Sequence, residues 1–198
     1  MVNYPLRPAS MIVCLVRHGE TSWNKARFVQ GLTDNPLNDA GRRQAESVGA
    51  YLKTHDREWD LIVTSPLKRA RETAEIIARA IGYDKPLLVD GNFRERSFGA
   101  LEGRILDDET YRVIFAEEAA GLEKLCDLRE RAISALLALE GKAEKVLICA
   151  HAQVIKGIIT AIDPEFDFRF PLKNSSMNYF EVLNGKIKII DYNITPEK

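Results

Sequence analysis

Short apolar runs alternate with longer amphipathic stretches along the chain. Four of these runs predict β-strands, at Ile12–Val16, Leu61–Thr64, Leu87–Val89 and Val146–Ala150. They are apolar at successive positions and partly β-branched, which is typical of strands buried on both faces. Because helical crossovers join them, the strands should be parallel. The pattern therefore predicts an α/β fold, a three-layer sandwich with a mostly parallel mixed central sheet flanked by helices.

Capping residues place the first two long helices between the strands. Asn38 is a suitable N-cap for a helix that runs to about Lys53. Ser65-Pro66 combines an N-cap with a first-turn proline and predicts a helix to about Ile81. Gly82 then ends that second helix, as a glycine in the left-handed conformation commonly does.

The last third of the chain predicts two more helices and a hairpin. A helix from about 122 to 140 would place five side chains near one face, and these are Leu125, Cys126, Ile133, Leu136 and Leu137. Another helix follows His151. Tyr179–Leu183 and Lys186–Ile190 flank Asn184-Gly185, a dipeptide that favours a two-residue type I′ turn. This hairpin makes the predicted sheet mixed.

Composition narrows the class of protein. The chain has 198 residues, with 28 Lys and Arg against 29 Asp and Glu, and 45% of its residues are hydrophobic. This length favours one domain, which we place at 11–198, with 1–10 as an N-terminal extension outside the core. The balanced charge offers no surplus of cations for a nucleic-acid backbone, and no run of about 18 apolar residues predicts a membrane span.

The cysteines favour a reducing compartment. Cys14, Cys126 and Cys149 are odd in number, lie in apolar surroundings and lack C-x-x-C spacing. This argues against a disulfide framework and against a zinc cluster. We therefore expect a cytoplasmic protein. A homodimer remains possible, although neither an apolar stripe nor a heptad repeat indicates one.

Cations follow three of the predicted strands. Arg17-His18 comes directly after the first strand, Arg69 lies one turn after the second, and His151 follows the fourth. The ligand crevice of a parallel α/β sheet lies outside the carboxyl ends of its strands, so these side chains can converge. Two guanidinium groups in one crevice suit the oxygens of a phosphate. The sequence therefore predicts an anion site, with phosphate as the first candidate.

An acidic residue follows the third strand. Glu95 could donate a proton to a leaving oxygen, and with a histidine nucleophile it would complete a phosphoryl-transfer site without a metal. Glu20 and Glu102 are alternative acids. His55 lies in a charged stretch after a helix and is interpreted as a surface residue.

These residues carry a resemblance to a known family. The segment Leu15–Thr21 contains Arg17-His18-Gly19 and resembles the signature of the histidine phosphatase superfamily, also called the phosphoglycerate mutase-like family, and in particular its small phosphatase-type members. The likeness extends from Ile12 to about Ile159 and includes further motifs in order: Asn24, Gln30-Gly31, Asp34–Leu37, Gly41, Gln44-Ala45, Ser65–Ala70, Thr73-Ala74, Glu95, Gly99, Leu101–Gly103 and His151. Ordered recurrence of several motifs is far more specific than any one of them.

The resemblance implies a role for each matching residue. His18 would be the nucleophile that becomes phosphohistidine, and Glu95 would protonate the departing alkoxide and then activate water. Catalytic and phosphate-holding roles would also fall on Arg17, Arg69 and His151, and substrate contacts on Asn24, Gln30, Gly31 and Ala152. No metal or cofactor is implied. The expected partner is a small-molecule phosphate ester.

Two departures from the family pattern bear on activity. Ala152-Gln153 follows the second histidine, where family members usually have glycine. The stretch between Gly103 and His151 is short and lacks the insertion with which mutases gather a carboxylate. Residues 104–121 contain two arginines against five acidic side chains, so a lid formed by them would disfavour polyanionic substrates.

Three functions remain open on the sequence alone. The first is a metal-independent phosphomonoesterase that uses a phosphohistidine at His18 and transfers the phosphoryl group to water. The second is a phosphoglycerate mutase, which would need the same core and a pocket closed to water. The third is a catalytically weak phosphate-binding regulatory protein on the same fold, for which Ala152-Gln153 is the only support.

Overall fold

The computed structural model describes residues 10–196, which form a six-stranded sheet flanked by helices. The strands are β1 (Met11–Arg17), β2 (Leu61–Thr64), β3 (Leu88–Val89), β4 (Lys145–Ala150), β5 (Met177–Leu183) and β6 (Lys186–Ile194). Their order is β3-β2-β4-β1-β5-β6, parallel from β3 to β1 and antiparallel at β5 and β6. The predicted α/β fold with a mixed sheet is confirmed. Of the predicted extension at 1–10, all but Ser10 lies outside the described residues.

Six α-helices connect and cover the strands. They are α1 (Ser22–Lys25), α2 (Asp39–His55), α3 (Lys68–Ile81), α4 (Asp108–Ala116), α5 (Leu125–Leu137) and α6 (Ala152–Ile162). Within residues 10–196, none of the helices is long and apolar enough to cross a membrane.

Alternation along the central strands creates a core on each face of the sheet. In β1, Cys14 and Val16 face one way and pack with α2 and α3, whereas Val13 and Leu15 face the other way and pack with α5 and α6. The same alternation places Leu147 of β4 on the first face and Ile148 on the second. Successive side chains of a strand point to opposite faces, so an unbroken apolar run can serve both layers.

The loop after β1 is fixed by a close approach of two backbones. A Cβ on Gly19 would lie 2.4 Å from the carbonyl oxygen of Gly41, and a Cβ on Gly41 would lie 2.1 Å from that of Glu20. Neither position has room for a side chain. Asn38 caps α2 as predicted and also donates to the Glu20 carboxylate at 2.8 Å. Glu20 is therefore tied to the start of α2.

Several sequence-based predictions are wrong in detail. Helix α3 begins at Lys68 with Leu67 as N-cap, so Ser65 is not the cap; its hydroxyl oxygen accepts from the Leu67 amide at 3.2 Å. Cys126 is exposed rather than apolar-facing, because the buried residues of α5 are Leu128, Ala132, Ala135 and Leu136. The strand at Leu88–Val89 is an exposed edge and is not buried on both faces.

The hairpin is confirmed. Asn184 and Gly185 adopt φ of 52° and 70°, as a type I′ turn requires at both central positions.

Candidate active site

Eight of the nine predicted site residues line one cavity at the carboxyl ends of the parallel strands. The cavity has a volume of about 110 Å³. The eight residues are Arg17, His18, Asn24, Gln30, Gly31, Arg69, Glu95 and Ala152. The ninth, His151, lies beside the cavity without lining it, and its ring centroid is 5.2 Å from that of His18. The structure thus brings together side chains that are far apart in the sequence.

Hydrogen bonds fix the tautomer of His18. Nδ1 lies 2.7 Å from the carbonyl oxygen of Gly19, so it must carry the proton and donate. Nε2 lies 3.2 Å from Nε of Arg69, whose N–H can only donate. Burial and the charges of Arg69 and Arg17 hold the pKa of His18 well below its usual 6.5. His18 is therefore neutral, with a lone pair on Nε2.

Arg69 is held by backbone carbonyls of the loop before α2. Its two terminal nitrogens donate to the oxygens of Gly31 at 2.8 Å and Thr33 at 2.9 Å. The turn that presents the Gly31 carbonyl needs glycine, since φ is 54° and a Cβ would lie 2.2 Å from the Glu102 carboxylate. Arg69 is 0% exposed, and burial lowers its pKa below 12.5, yet its charge remains.

Glu102 is fully used in holding this same loop. Its carboxylate accepts hydrogen bonds from the amides of Leu32 at 3.0 Å, Thr33 at 2.9 Å and Phe98 at 3.1 Å. It also accepts from the Thr33 hydroxyl at 2.7 Å, and Glu102 does not line the cavity. Glu102 is therefore a structural residue and not the alternative acid.

Arg17 brings a second guanidinium to the cavity. One terminal nitrogen donates to the carbonyl of Leu172, whereas its buried Nε–H has no partner within residues 10–196. Burial lowers the pKa of Arg17 to about 10, so it stays charged at neutral pH. A buried donor without an acceptor is costly, and an anion in the cavity would relieve that cost.

His151 is completely buried and does not line the cavity. Its Nε2 lies 2.7 Å from the Ser65 hydroxyl oxygen, and its Nδ1 has no partner within residues 10–196. Burial and the nearby charge of Arg69 hold the pKa of His151 well below 6.5, so the ring is neutral. The Ser65 hydroxyl thus holds the His151 ring in place, a role that the prediction of Ser65 as a helix cap did not include.

Glu95 is buried in the wall of the cavity. One carboxylate oxygen accepts from the Arg96 amide at 3.0 Å and the other from the Gln153 amide at 3.5 Å. Burial nevertheless raises the pKa of Glu95 above 4.5, because desolvation outweighs these bonds and the two arginines. The carboxyl group of Glu95 therefore stays protonated to a higher pH than an ordinary glutamate does.

Arg131 fixes the loop that carries Glu95, a contact that no local sequence pattern predicts. From α5, it donates to the carbonyl oxygens of Arg94 at 2.9 Å and Glu95 at 3.2 Å. Nε of Arg131 forms an ion pair with the Glu123 carboxylate at 2.6 Å. Glu95 is thus positioned by a side chain 36 residues later in the chain.

Asn24 and Gln30 are held in place by a network at the loop after β1. Thr21 caps α1, and its hydroxyl donates to the Gln30 side-chain oxygen at 2.9 Å. Asn24 accepts from the amide of Thr21 at 3.1 Å and from the Asn174 side chain at 3.3 Å. The polar atoms that Asn24 and Gln30 bring to the cavity wall are therefore preorganised.

Ala152 needs no glycine conformation. It is the first residue of α6, outside the left-handed region, and His151 is the N-cap. The 11-residue helix therefore starts at the cavity, where the positive end of its dipole favours an anion. The departure from glycine leaves the backbone arrangement intact.

The outer wall of the cavity is apolar, which was not predicted. Helix α4 contributes Tyr111, Ile114 and Phe115, and other segments add Phe28 and Phe168. None of the five acidic side chains in 104–121 lines the cavity. The two buried residues of α4, Thr110 and Ile114, have the spacing of an amphipathic helix. A helix of nine residues is too short for this spacing to predict which face lines a cavity.

Comparisons with known proteins place the chain in a family. The model of the histidine phosphatase superfamily (branch 1) matches residues 13–195. The chain belongs to this superfamily. A similar relative is the uncharacterized phosphatase PhoE of Bacillus subtilis, 42% identical over 92% of this chain and 94% of its own. Another is the metal-independent phosphoserine phosphatase of Arabidopsis thaliana, 30% identical over 88% of this chain and 77% of its own.

A solved structure confirms the predicted superfamily fold. The crystal structure of phosphoglycerate mutase from Bacillus anthracis has a TM-score of 0.83 and 21% identity, covering 94% of each chain. At 21% identity, this likeness shows the fold of the chain and nothing about its substrate. In this part of the chain, 10–196, no three or more His, Cys, Asp or Glu side chains are grouped to hold a metal ion.

Proposed function

We propose that this histidine phosphatase is a metal-independent phosphomonoesterase that hydrolyses small phosphate esters through a phosphohistidine at His18. The observation that carries this proposal is the tautomer of His18. Its neutral ring aims a lone pair on Nε2 at the guanidinium of Arg69, 3.2 Å away, in a cavity that also holds Arg17 and Glu95. A nucleophile, two cations and an acid are the parts that metal-free phosphoryl transfer needs.

The first step forms a nitrogen–phosphorus bond. Nε2 of His18 gives up the hydrogen bond from Arg69 Nε–H and attacks the phosphorus with the freed lone pair, while Nδ1–H keeps its bond to the Gly19 carbonyl. The ester oxygen leaves with the electron pair of the P–O bond and takes the proton of the Glu95 carboxyl. Arg17 and Arg69 bind the phosphoryl oxygens and stabilise their charge in the transition state.

The second step returns the enzyme to its starting state. The Glu95 carboxylate removes a proton from water, and the oxygen of that water attacks the phosphorus. The P–N bond breaks, and its electron pair returns to Nε2 of His18. Phosphate leaves, with the carboxyl again protonated. Burial that raises the pKa of Glu95 serves both directions of this proton transfer.

Water as the acceptor is supported by two features. The relatives named PhoE and metal-independent phosphoserine phosphatase are phosphatases by name. The segment over the cavity contains a single nine-residue helix, α4, and Phe115 on it is 45% exposed. A mutase must instead exclude water from its phosphoenzyme, so the phosphoglycerate mutase alternative is retained as an outcome of the test.

The test is phosphate release in EDTA from an aryl phosphate and from a panel of sugar, nucleotide and phosphoglycerate esters. We expect chelator-resistant release that falls more than about 10³-fold in His18→Ala. His55→Ala is the matched control, because His55 is exposed, stacks on Tyr51 and does not line the cavity. Loss of release in EDTA, an equal loss in the control, or isomerisation of 3-phosphoglycerate faster than release would overturn the proposal.

A further inference from the structure

A second cavity adjoins the first and is lined by cations. Its volume is about 310 Å³, and it shares part of its wall with the first cavity, including Arg17, Asn24 and Tyr111. Its own wall adds Lys156 of α6 and Arg169 of the loop before β5. The catalytic residues His18 and Glu95 line only the first cavity. The two spaces are therefore neighbours with different chemistry.

Lys156 is a buried cation. It is only 7% exposed, and its Nζ donates to the carbonyl of Phe168 at 2.9 Å. Nζ also lies 5.6 Å from the centroid of the Phe168 ring. Within residues 10–196 no carboxylate lies within 4 Å of Nζ, so the buried charge has no ion-pair partner there. A buried cation without a counterion is costly, which favours binding of an anion.

The acidic groups near Lys156 do not fully compensate its positive charge. Desolvation and the charge of Arg17 lower the pKa of Lys156 to about 8, and the charges of Glu95 and Asp167 only partly oppose this. Asp167 is engaged elsewhere, since its carboxylate accepts from the Arg169 amide at 2.8 Å.

Arg169 is held over the aromatic wall. Its guanidinium carbon lies 5.3 Å from the centroid of the Phe115 ring and 6.0 Å from that of Tyr111. Stacking of this kind orders the guanidinium without neutralising it. Within the described part of the chain, Arg169 also has no carboxylate within 4 Å. Two cations without counterions thus line one cavity.

Helix geometry relates this pair to the catalytic cavity. Lys156 lies four residues after Ala152 on α6, so both are on the same face of the helix. One turn of an α-helix rises about 5.4 Å, which places Lys156 about 6 Å along the axis from the residue at the edge of the first cavity. A small alcohol group can span this distance.

We propose that Lys156 and Arg169 form a subsite for a second anionic group on the alcohol half of the substrate. The preferred substrates are then phosphate esters that also carry a carboxylate or a second phosphate. This inference rests on the proposed phosphomonoesterase. It reverses the expectation that 104–121 disfavours polyanions, because the acidic side chains of that segment point elsewhere: Glu109 pairs with Arg112 at 2.8 Å, and Glu117 with Arg96 at 2.6 Å.

The test compares ligands that differ only in the second charge. One pair is 3-phosphoglycerate against glycerol 3-phosphate, and the other is the bisphosphate of propane-1,3-diol against its monophosphate. Dissociation constants are measured by titration calorimetry in the His18→Ala background, where no turnover is required. The preference within each pair is the readout, and the two pairs distinguish a carboxylate from a second phosphate.

Four further variants in that background make the result specific. We expect Lys156→Met and Arg169→Gln each to lower the preference for the doubly charged ligand about 10-fold, as loss of a charge-assisted hydrogen bond does. Lys156→Arg, which keeps the charge, should retain most of the preference. Lys188→Met removes an equal charge from the exposed face of β6 and should change nothing.

Each outcome either supports or overturns the subsite of Lys156 and Arg169. A preference that falls in Lys156→Met and persists in Lys156→Arg and Lys188→Met supports the subsite. No preference in the parent background, or an equal loss of affinity for both members of a pair, overturns it. Failure of the proposed hydrolase would show separately, as phosphate release that survives the His18→Ala substitution.

Discussion

The two walls of the catalytic cavity are built in different ways. On the wall that we propose binds the phosphate, the phosphate wall, His18 and Arg69 are 3% and 0% exposed, and backbone carbonyls of Gly19 and Gly31 fix them. On the outer side, Phe115 is 45% exposed and lies on the short helix α4. One wall is polar and rigidly placed by the sheet, and the other is apolar and partly open to solvent.

This difference separates chemistry from selectivity. Side chains positioned by backbone bonds can stabilise a transition state because little reorganisation is needed. Side chains on a surface helix can change the alcohol that fits without disturbing the reacting atoms. Substitutions on the phosphate wall should therefore act on the rate of phosphoryl transfer, and those on the outer wall should act on binding.

The largest difference between the walls is expected from Arg69→Met. Loss of this preorganised cation should lower kcat for every ester by a factor on the order of 10³, as removal of one transition-state donor does. Arg71→Met is the matched control, since Arg71 is an exposed residue of the same helix. Initial rates with an aryl and an alkyl phosphate check this, and a fall of less than about threefold would remove Arg69 from the site.

Glu95→Gln should have the next largest effect, and that effect should depend on pH and on the leaving group. The parent needs a protonated carboxyl in the first step, so its kcat/KM falls as pH rises through the raised pKa of Glu95. The variant lacks this titration and should lose that alkaline limb. For an alkyl ester we expect a loss on the order of 10²-fold, and for 4-nitrophenyl phosphate, whose leaving group needs little protonation, a smaller one.

pH profiles of kcat/KM for both esters provide the measurement. Glu102→Gln is the comparison that tests the assignment of the acid, because Glu102 holds the loop of Leu32 and Thr33 instead. An alkaline limb that persists in Glu95→Gln and disappears in Glu102→Gln would reverse the two roles.

The smallest effect is expected on the outer wall. Tyr111→Ala removes an aromatic face from the cavity and from the stack with Arg169, which should raise KM about fivefold for an aryl ester. Its effect on kcat should stay below about twofold, because binding to ground and transition states is lost together. Arg112→Ala on the exposed side of α4 is the control. Steady-state kinetics that show a large fall in kcat would erase the distinction between the walls.

The same division explains what could be predicted from the sequence. The phosphate wall follows from apolar runs that end in charged residues, so the convergence of Arg17, His18 and Arg69 was accessible from the order of residues. His151 lies near His18, as this order predicts, although it does not line the cavity.

The outer wall could not be predicted, because tertiary contacts decide it. Helix α4 is short, and its apolar side chains face the cavity only through the way 104–121 packs. The hold of Arg131 on the Glu95 loop joins segments that share no local pattern. The position of Ser65 before Pro66 predicts a helix cap, but its hydroxyl instead contacts the Leu67 amide and the His151 ring.

The phosphohistidine itself is the most direct test of the account. In Glu95→Gln, 4-nitrophenyl phosphate can still phosphorylate the enzyme, whereas water lacks its base, so the phosphoenzyme should accumulate. Rapid quench and peptide mass spectrometry at neutral to alkaline pH should find a burst of nitrophenolate and one phosphoryl group on His18. Turnover without a labelled enzyme, or a phosphoryl group on another residue such as His151, would contradict the account.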